Sequence, residues 1–588
     1  MPRFSSLFVL SSCLLLAGYG CLQPTTGGEA GSGGSTNKGG SGGKGGSGGT
    51  ANTGGSTNTG GSTNTGGTTN TGGSTNTGGS TNTGGSTNTG GSAGSGGKGG
   101  SGGSAGSGGT TNKGGSGGSA GSGGSAGSGG TTSKGGSGGY AGGYGGSSSN
   151  PGSGGGGGGG SGNCTFTQSS KTSSKIGTVG IVTWSTDLAG LKSAKIDFGL
   201  DTSYGYTAPV GSPASGNNTT LLLGMKASKT YHYKITATGS SGDCSSSDYT
   251  IATGALPNGL AKITATTKST SSPLMGGFLI TGQYVQGGGT SGSPAYILDK
   301  DSEMVWAYSP GHDVTGARMN WAGDHMWTNC AQVPQGTTCV HRISMDGMTD
   351  EDLSSHFTGL NHQLTVLPDE KIAFYAYGSG GCDDIKEYDP ATGQTRTIVN
   401  SGTAEGTNPS ACHCNNIQYS ADDDTLVFSE LDNQVVVKID HKQGTTKWVL
   451  NGTKPTISGV TWKGGDHGIH LIAKDHLLIF NNNSTMVAGG MGSAGGTGDG
   501  SIAIEVQVNE SAKTATQPWS YKAQPGIQND VMGDVQRLPN GNTIVAYSTK
   551  GVLHEVSGST LLQELTWPSG ASFGYIEKRA TLYGPPPK

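Results

Sequence analysis

Three histidines carry the chemistry that this sequence could perform. His362 opens His362-Gln-Leu-Thr-Val-Leu-Pro-Asp369, His413 opens His413-Cys-Asn-Asn-Ile417 and reaches Asp422, and His467 opens His467-Gly-Ile-His-Leu-Ile-Ala-Lys-Asp475. Each stands just ahead of an apolar hairpin at nearly the same offset. An imidazole can attack as a nucleophile, move a proton near neutral pH, or ligate a metal ion. Two uses are therefore open, catalysis or a three-histidine metal site. The metal use is the weaker, because no carboxylate accompanies the three in phase; no metal and no cofactor is expected. His312, His325, His356 and His470 stand outside the pattern and are expected to be satisfied structural residues.

The elements that must position these rings form a long repeat. A strand ending in an acidic turn recurs as Tyr296-Ile-Leu-Asp299, Arg342-Ile-Ser-Met-Asp346, Glu387-Tyr-Asp389 and Lys438-Ile-Asp440, with echoes at Glu505-Val506 and Glu555-Val556. Periods of roughly 45–50 residues holding several strands each indicate a β-propeller, here over residues 260–588 with about six blades. Innermost propeller strands converge on a channel, so equal phase in adjacent blades brings the three imidazoles to one mouth. Ahead of it, residues 163–256 show β-branched and aromatic runs broken by turn residues, which suits a seven-strand sandwich. The whole folded part is expected to be all-β.

Two resemblances sharpen this. Trp184-Ser-Thr-Asp187, Phe198-Gly199, Leu223-Gly-Met-Lys226 and Thr230-Tyr-His-Tyr233 resemble a fibronectin type III module. The propeller region resembles the bacterial arylsulfate sulfotransferases in an ordered set of segments: His362 with Leu367-Pro-Asp369, His413-Cys-Asn-Asn-Ile417, Asp422-Asp-Asp-Thr-Leu-Val-Phe-Ser429, Val437-Lys-Ile-Asp440 with Trp448, Asp466-His467, Leu478-Ile-Phe-Asn-Asn482, Arg537-Leu-Pro-Asn-Gly-Asn-Thr543 and Arg579-Ala580. That resemblance implies sulfuryl transfer from an aryl sulfate to a phenol with no nucleotide donor. His467 takes the nucleophile position, His362 and His413 the supporting ones, and Asn415 an amide position facing the sulfuryl oxygens. One position departs from the family: Glu430 follows Ser429 where an Arg is usual. A carboxylate within about 4 Å of an anionic substrate would cost on the order of 4 kcal/mol at an effective dielectric near 20. Lys463, four residues before His467, is the candidate compensating cation. The departure keeps a second reading open, a catalytically degenerate surface propeller that binds glycan or protein.

The remaining cysteines suggest disulfides. Cys164 and Cys244 sit near the two ends of the sandwich, and Cys330 and Cys339 bracket a short loop. Cys382 is expected to pair with either Cys412 or Cys414; two thiolates flanking His413 are poorly placed to share a tetrahedral zinc. Asp422-Asp-Asp424 is an acidic turn without calcium-ligand spacing.

The 588 residues include 118 Gly, and most of these lie between 22 and 162, where a Gly-Gly-Ser-Thr-Asn-Thr hexad recurs. That stretch cannot bury enough apolar area to offset its ordering entropy, so a flexible tether is expected. Residues 1–21 carry Arg3, an apolar run and Gly18-Tyr19-Gly20-Cys21, which resembles a lipoprotein export signal acylated at Cys21. Export to the bacterial cell envelope and a membrane anchor follow as expectations. The total charge of −4, with a positive N-terminal part, leaves the folded part acidic, which argues against nucleic acid as a partner.

Overall fold

The computed structural model describes residues 164–284, 292–330, 338–407, 412–486 and 499–586, together with the backbone of short strands between 36 and 106 and at 493–494. The expected export signal with Cys21, and most of the Gly-rich stretch, lie outside the described residues. No described helix is long and apolar enough to cross a membrane. Within 36–106, which falls in a unit of its own, the Thr-Asn-Thr segments run as short parallel strands, Thr57 beside Thr75 and Thr63 beside Thr81. A flexible coil is the expectation from composition. In this register each hexad pairs with the third one along.

Residues 166–252 form two facing antiparallel sheets. One holds Phe166–Thr172, Gly180–Thr186 and Asn218–Leu222; the other holds Ser193–Gly199, Tyr206–Val210, Thr230–Gly239, Gly242–Ser245 and Tyr249–Ala252. Strict alternation along Thr230–Gly239 turns Tyr231, Tyr233, Ile235 and Ala237 inward against Trp184, Ile196 and Phe198. Eight strands stand where seven are expected, because the last stretch breaks at Ser247-Asp248 and pairs with both halves of Thr230–Gly239. Cys164 is bonded to Cys244.

Six antiparallel sheets of four or five strands follow, in a propeller-like arrangement. All six sequence markers fall on the third strand of a sheet counted from the innermost: Ala295–Leu298, Val340–Ser344, Asp383–Asp389, Val435–Asp440, Ile502–Asn509 and Val552–Ser557. The first sheet takes its innermost strand from the C-terminus, Glu577–Arg579, which pairs with Phe278–Tyr284. Arg579 closes this seam. It is 1% exposed, bonds Glu577 Oε1 at 2.6 Å, and donates to the carbonyls of Met319 and Gly584 at 2.8 and 2.9 Å.

The sandwich is not a separate bead. Ile176, Val179 and Leu223 share one core with Phe278, Ile297, Trp306, Met345 and Leu582 of the first sheets. Tyr583 Oη accepts from Leu223 N at 2.8 Å and donates to Leu221 O at 3.1 Å. Lys226 Nζ reaches Asp299, Asp301 and Glu303 at 3.3, 2.8 and 3.1 Å.

Candidate active site

The three histidines stand at the entries of three successive innermost strands, Leu360–Val366, Cys414–Ser420 and Asp466–Ala473. At each entry the pairing register slips, between Asn361 and Leu364, between Cys414 and Asn416, and between Asp466 and Ile469. A bulge of this kind re-aims a side chain out of the alternation of its strand. Here it recurs three times at one phase, and it turns all three rings toward the same space. His362 Nε2 lies 2.6 Å from His413 Nε2, with the rings stacked at 4.8 Å between centroids. The His467 ring stands edge-on to His362 at 6.2 Å.

The His467 ring is held from behind, and the backbone of the other two entries is held by neighbouring side chains. His467 Nδ1 meets Asn482 Oδ1 at 2.6 Å, while the Asn482 amide donates to the carbonyls of Asn529 and Met532 at 2.6 and 2.8 Å. Those two carbonyls accept only, so they fix the amide with its oxygen toward the ring. His467 must then carry its proton on Nδ1, which leaves the Nε2 lone pair free. Gly468 lets the strand come this close to the next sheet, since a Cβ there would meet Asp534 Cα at 2.5 Å. His362 has a left-handed backbone, φ 52°, and its carbonyl accepts from Asn329 Nδ2 at 2.6 Å. Such a conformation costs about 1–3 kcal/mol at a non-glycine residue and is met where surrounding structure imposes it. Asp383 Oδ2 ties two entries together, accepting from Cys414 N at 3.0 Å and Asn361 Nδ2 at 3.3 Å.

The electrostatics favour neutral rings. His467 is 2% exposed, and burial pushes its pKa down to about 3. Burial also lowers His413. His362 is driven well below the ordinary range by burial and then by its two imidazole neighbours. One Nε2–H of the His362–His413 pair donates to the lone pair of the other, so the two rings share a proton between them. Next to His467, Asp466 is fully buried and raised to about 8 by that burial; it accepts from Trp462 Nε1 at 2.7 Å and Asn481 Nδ2 at 3.0 Å.

The other expected site residues are placed differently. Asn415 is buried beside the triad, but its amide donates to Asp466 O at 2.9 Å and its Oδ1 has no partner. Glu430 turns away from the rings. Its carboxyl accepts from the backbone N–H of His413, Asp432 and Asn433 at 2.5, 3.0 and 2.6 Å. Burial and then Glu405 push its pKa well above the ordinary carboxylate range, while the backbone N–H donors of His413 and Asn433 pull it back. Lys463 is exposed on the loop before Asp466, and its backbone carbonyl accepts from Asn481 Nδ2 at 3.1 Å. Among the described residues, no Lys or Arg is hydrogen-bonded to the three imidazoles. The separation of His362 and His413 also suits a hydrogen bond rather than two ligands of one ion, which would stand about 3.3 Å apart around tetrahedral zinc.

The structure pairs Cys382 with Cys412 and leaves Cys414 a buried free thiol; Cys330 is bonded to Cys339. Two histidines assigned to satisfied structural roles do not fit that assignment, because His312 and His470 each keep a buried Nε2 without a partner. Sequence reasoning missed Asn482, Asn329 and Asp383. The Asn481-Asn482-Asn483 run at a strand end was the available signal for the first, while nothing local marks the other two, which act across sheets.

Residues 389–573 match the model of the arylsulfotransferase (ASST) family. The match contains His413 and His467, and His362 precedes it. No curated protein matches the chain. Similar solved structures include TolB from Acinetobacter baumannii, at 11% identity over 60% of this chain and 81% of that one with a TM-score of 0.36. The Cps50 (Swd1) β-propeller domain of Myceliophteria thermophila gives 11% identity over 53% and 92%, with a TM-score of 0.33. The periplasmic gluconolactonase PpgL of Pseudomonas aeruginosa gives 12% over 51% and 99%, with a TM-score of 0.30. Scores of this size carry no argument about this chain.

Proposed function

We propose that this protein is an exported, lipid-anchored arylsulfotransferase whose six-bladed propeller moves a sulfuryl group from an aryl sulfate to a phenol through a sulfohistidine at His467. The observation that carries this reading is the His467 ring, neutral and locked with its proton on Nδ1, beside a histidine pair that shares a second proton. In the first half-reaction the Nε2 lone pair forms an N–S bond as the S–O bond of the donor breaks. The donor phenolate departs with that electron pair, beside the His362–His413 pair that polarises it, and takes its proton from solvent. The transferred group keeps its single negative charge, and the new positive charge falls on the His467 ring. Asn482 Oδ1 is already aimed at the Nδ1–H of that ring, so the bond strengthens as the charge develops. In the second half-reaction an acceptor phenol releases its proton to solvent beside the same pair while its oxygen takes sulfur from Nε2, restoring the neutral ring.

The match of residues 389–573 to the arylsulfotransferase family supports the substrate class. Glu430 is committed to the backbone N–H groups of His413, Asp432 and Asn433, which supports a structural role for the position where the family carries an Arg. The fibronectin type III-like module and the anchor at Cys21 are parts of the same proposal. Intact-mass analysis after incubation with an aryl sulfate tests it. One added sulfuryl group, located on His467 and lost in His467→Ala, is the expected result. Absence of any adduct on wild type across a donor panel would overturn the reading.

A further inference from the structure

A second cluster of reactive groups is made of residues other than His362, His413 and His467. Cys330 ends the strand His325–Cys330, Cys339 precedes the strand Val340–Ser344, and the two are joined as a disulfide. Both are buried. One imidazole nitrogen of His312 and the two sulfurs all lie within 4.8 Å of one another. His312 Nδ1 faces the carbonyl of Asp313 at 3.2 Å, which can only accept, so the proton sits on Nδ1 and Nε2 presents its lone pair. That Nε2 is buried and has no partner. A fourth group stands close by: the His341 ring is 5.0 Å from that of His312 and is oriented by Asp350 Oδ1 at 2.6 Å from its Nδ1. Two sulfurs, a free imidazole lone pair and a second imidazole backed by a carboxylate make a donor set suited to a soft, tetrahedral divalent ion.

We propose that the dithiol form of this cluster binds one zinc ion through Cys330, Cys339 and His312, with His341 or water in the fourth position. The oxidised form cannot, since each sulfur is committed to the other. The switch needs a dithiol reductant. Thiolate attack opens the Cys330–Cys339 bond, the reductant leaves as its own disulfide, and the protein gains two thiols. Zinc binding then releases the two thiol protons to solvent.

The test uses the full chain, reduced and oxidised, with equilibrium dialysis against zinc alone and metal analysis. Reduced wild type is expected to hold one zinc more than reduced Cys330→Ser/Cys339→Ser, a control that retains Cys382, Cys412 and Cys414. The oxidised protein should lack that increment, and His312→Gln should weaken the increment by about tenfold or more. A second readout needs no variant: zinc should protect Cys330 and Cys339 of reduced wild type from alkylation, mapped by peptide mass. Equal zinc content in wild type and the double variant, an unchanged affinity in His312→Gln, or unprotected Cys330 and Cys339 would each overturn the proposal.

Discussion

At His467 the decisive feature is a proton rather than a charge. An imidazole buried at 2% exposure cannot ionise cheaply, which is why its pKa falls to about 3 and why its nucleophilic nitrogen stays free throughout the physiological range. The proposed sulfation step should therefore show no acid limb from this ring above about pH 5, measured as the single-turnover rate of adduct formation. Asp466 sets the other side. Its carboxyl is neutral below about 8 and becomes an anion above it, one residue from the nucleophile, so adduct formation should decline as pH rises through that value. The same group acts on stability. Its folded pKa is raised above the unfolded value of about 3.9, so the folded state holds a proton that the unfolded state releases. Its contribution is fully present below about pH 4 and is lost as pH rises toward 8, which should appear as a falling denaturation midpoint over that window. Asn482→Ala should lower the sulfation rate by about 10²-fold with the fold retained. The ring then loses the partner that chooses its tautomer, and the cost of a wrong tautomer is known to be large in serine-protease triads.

The elements matter through their irregularities. A regular innermost strand would alternate its side chains, and the three rings would not converge; three bulges at one phase make them do so. Two contacts hold those bulges in place from neighbouring sheets. Asn329, on the strand His325–Cys330, takes the His362 carbonyl, and Gly468 admits the backbone of Asp534. Asn329→Ala should leave the thermal midpoint within a few degrees while lowering sulfation by about tenfold or more, a split that marks positioning rather than packing. Gly468→Ala should instead lower stability by about 1–3 kcal/mol in chemical denaturation, because a Cβ at 2.5 Å from Asp534 Cα forces one sheet away from the other.

Across the whole molecule, the sandwich and the first sheets share apolar contacts, and their shared core contains side chains from residue 176 through residue 582. The two parts should then unfold together. Calorimetry should show one cooperative transition for residues 164–586, and Ile176→Ala, though it lies in the sandwich, should lower the stability of that single transition by about 2–5 kcal/mol. A separate low-temperature transition for the sandwich would contradict a continuous core. This docking also means that the N-terminal strands and the C-terminal Tyr583 meet at one seam, so closure of the sheet array involves both ends of the described chain.

Local pattern was enough for the all-β class, the spacing of the sheets, the common phase of the three histidines and the Cys330–Cys339 disulfide, because strand periodicity, turn chemistry and short loops are written within a few residues of themselves; Cys164 and Cys244, 80 residues apart, were legible only from their places near the two ends of the sandwich. Tertiary structure decided what those residues do. Glu430 looked like a charge set against the substrate, yet its carboxyl is held by two backbone donors of the turn that follows it and by the backbone N–H of His413 on the neighbouring strand entry, and burial raises its pKa. Cys382 could have met either neighbour of His413, and the strand entry at Cys414 buries that thiol while leaving Cys412 in reach. The tautomer of His467 depends on carbonyls of residues 529 and 532, far along the chain. Desolvation and cross-sheet hydrogen bonds depend on what is packed around a group, and no window of adjacent residues contains that information.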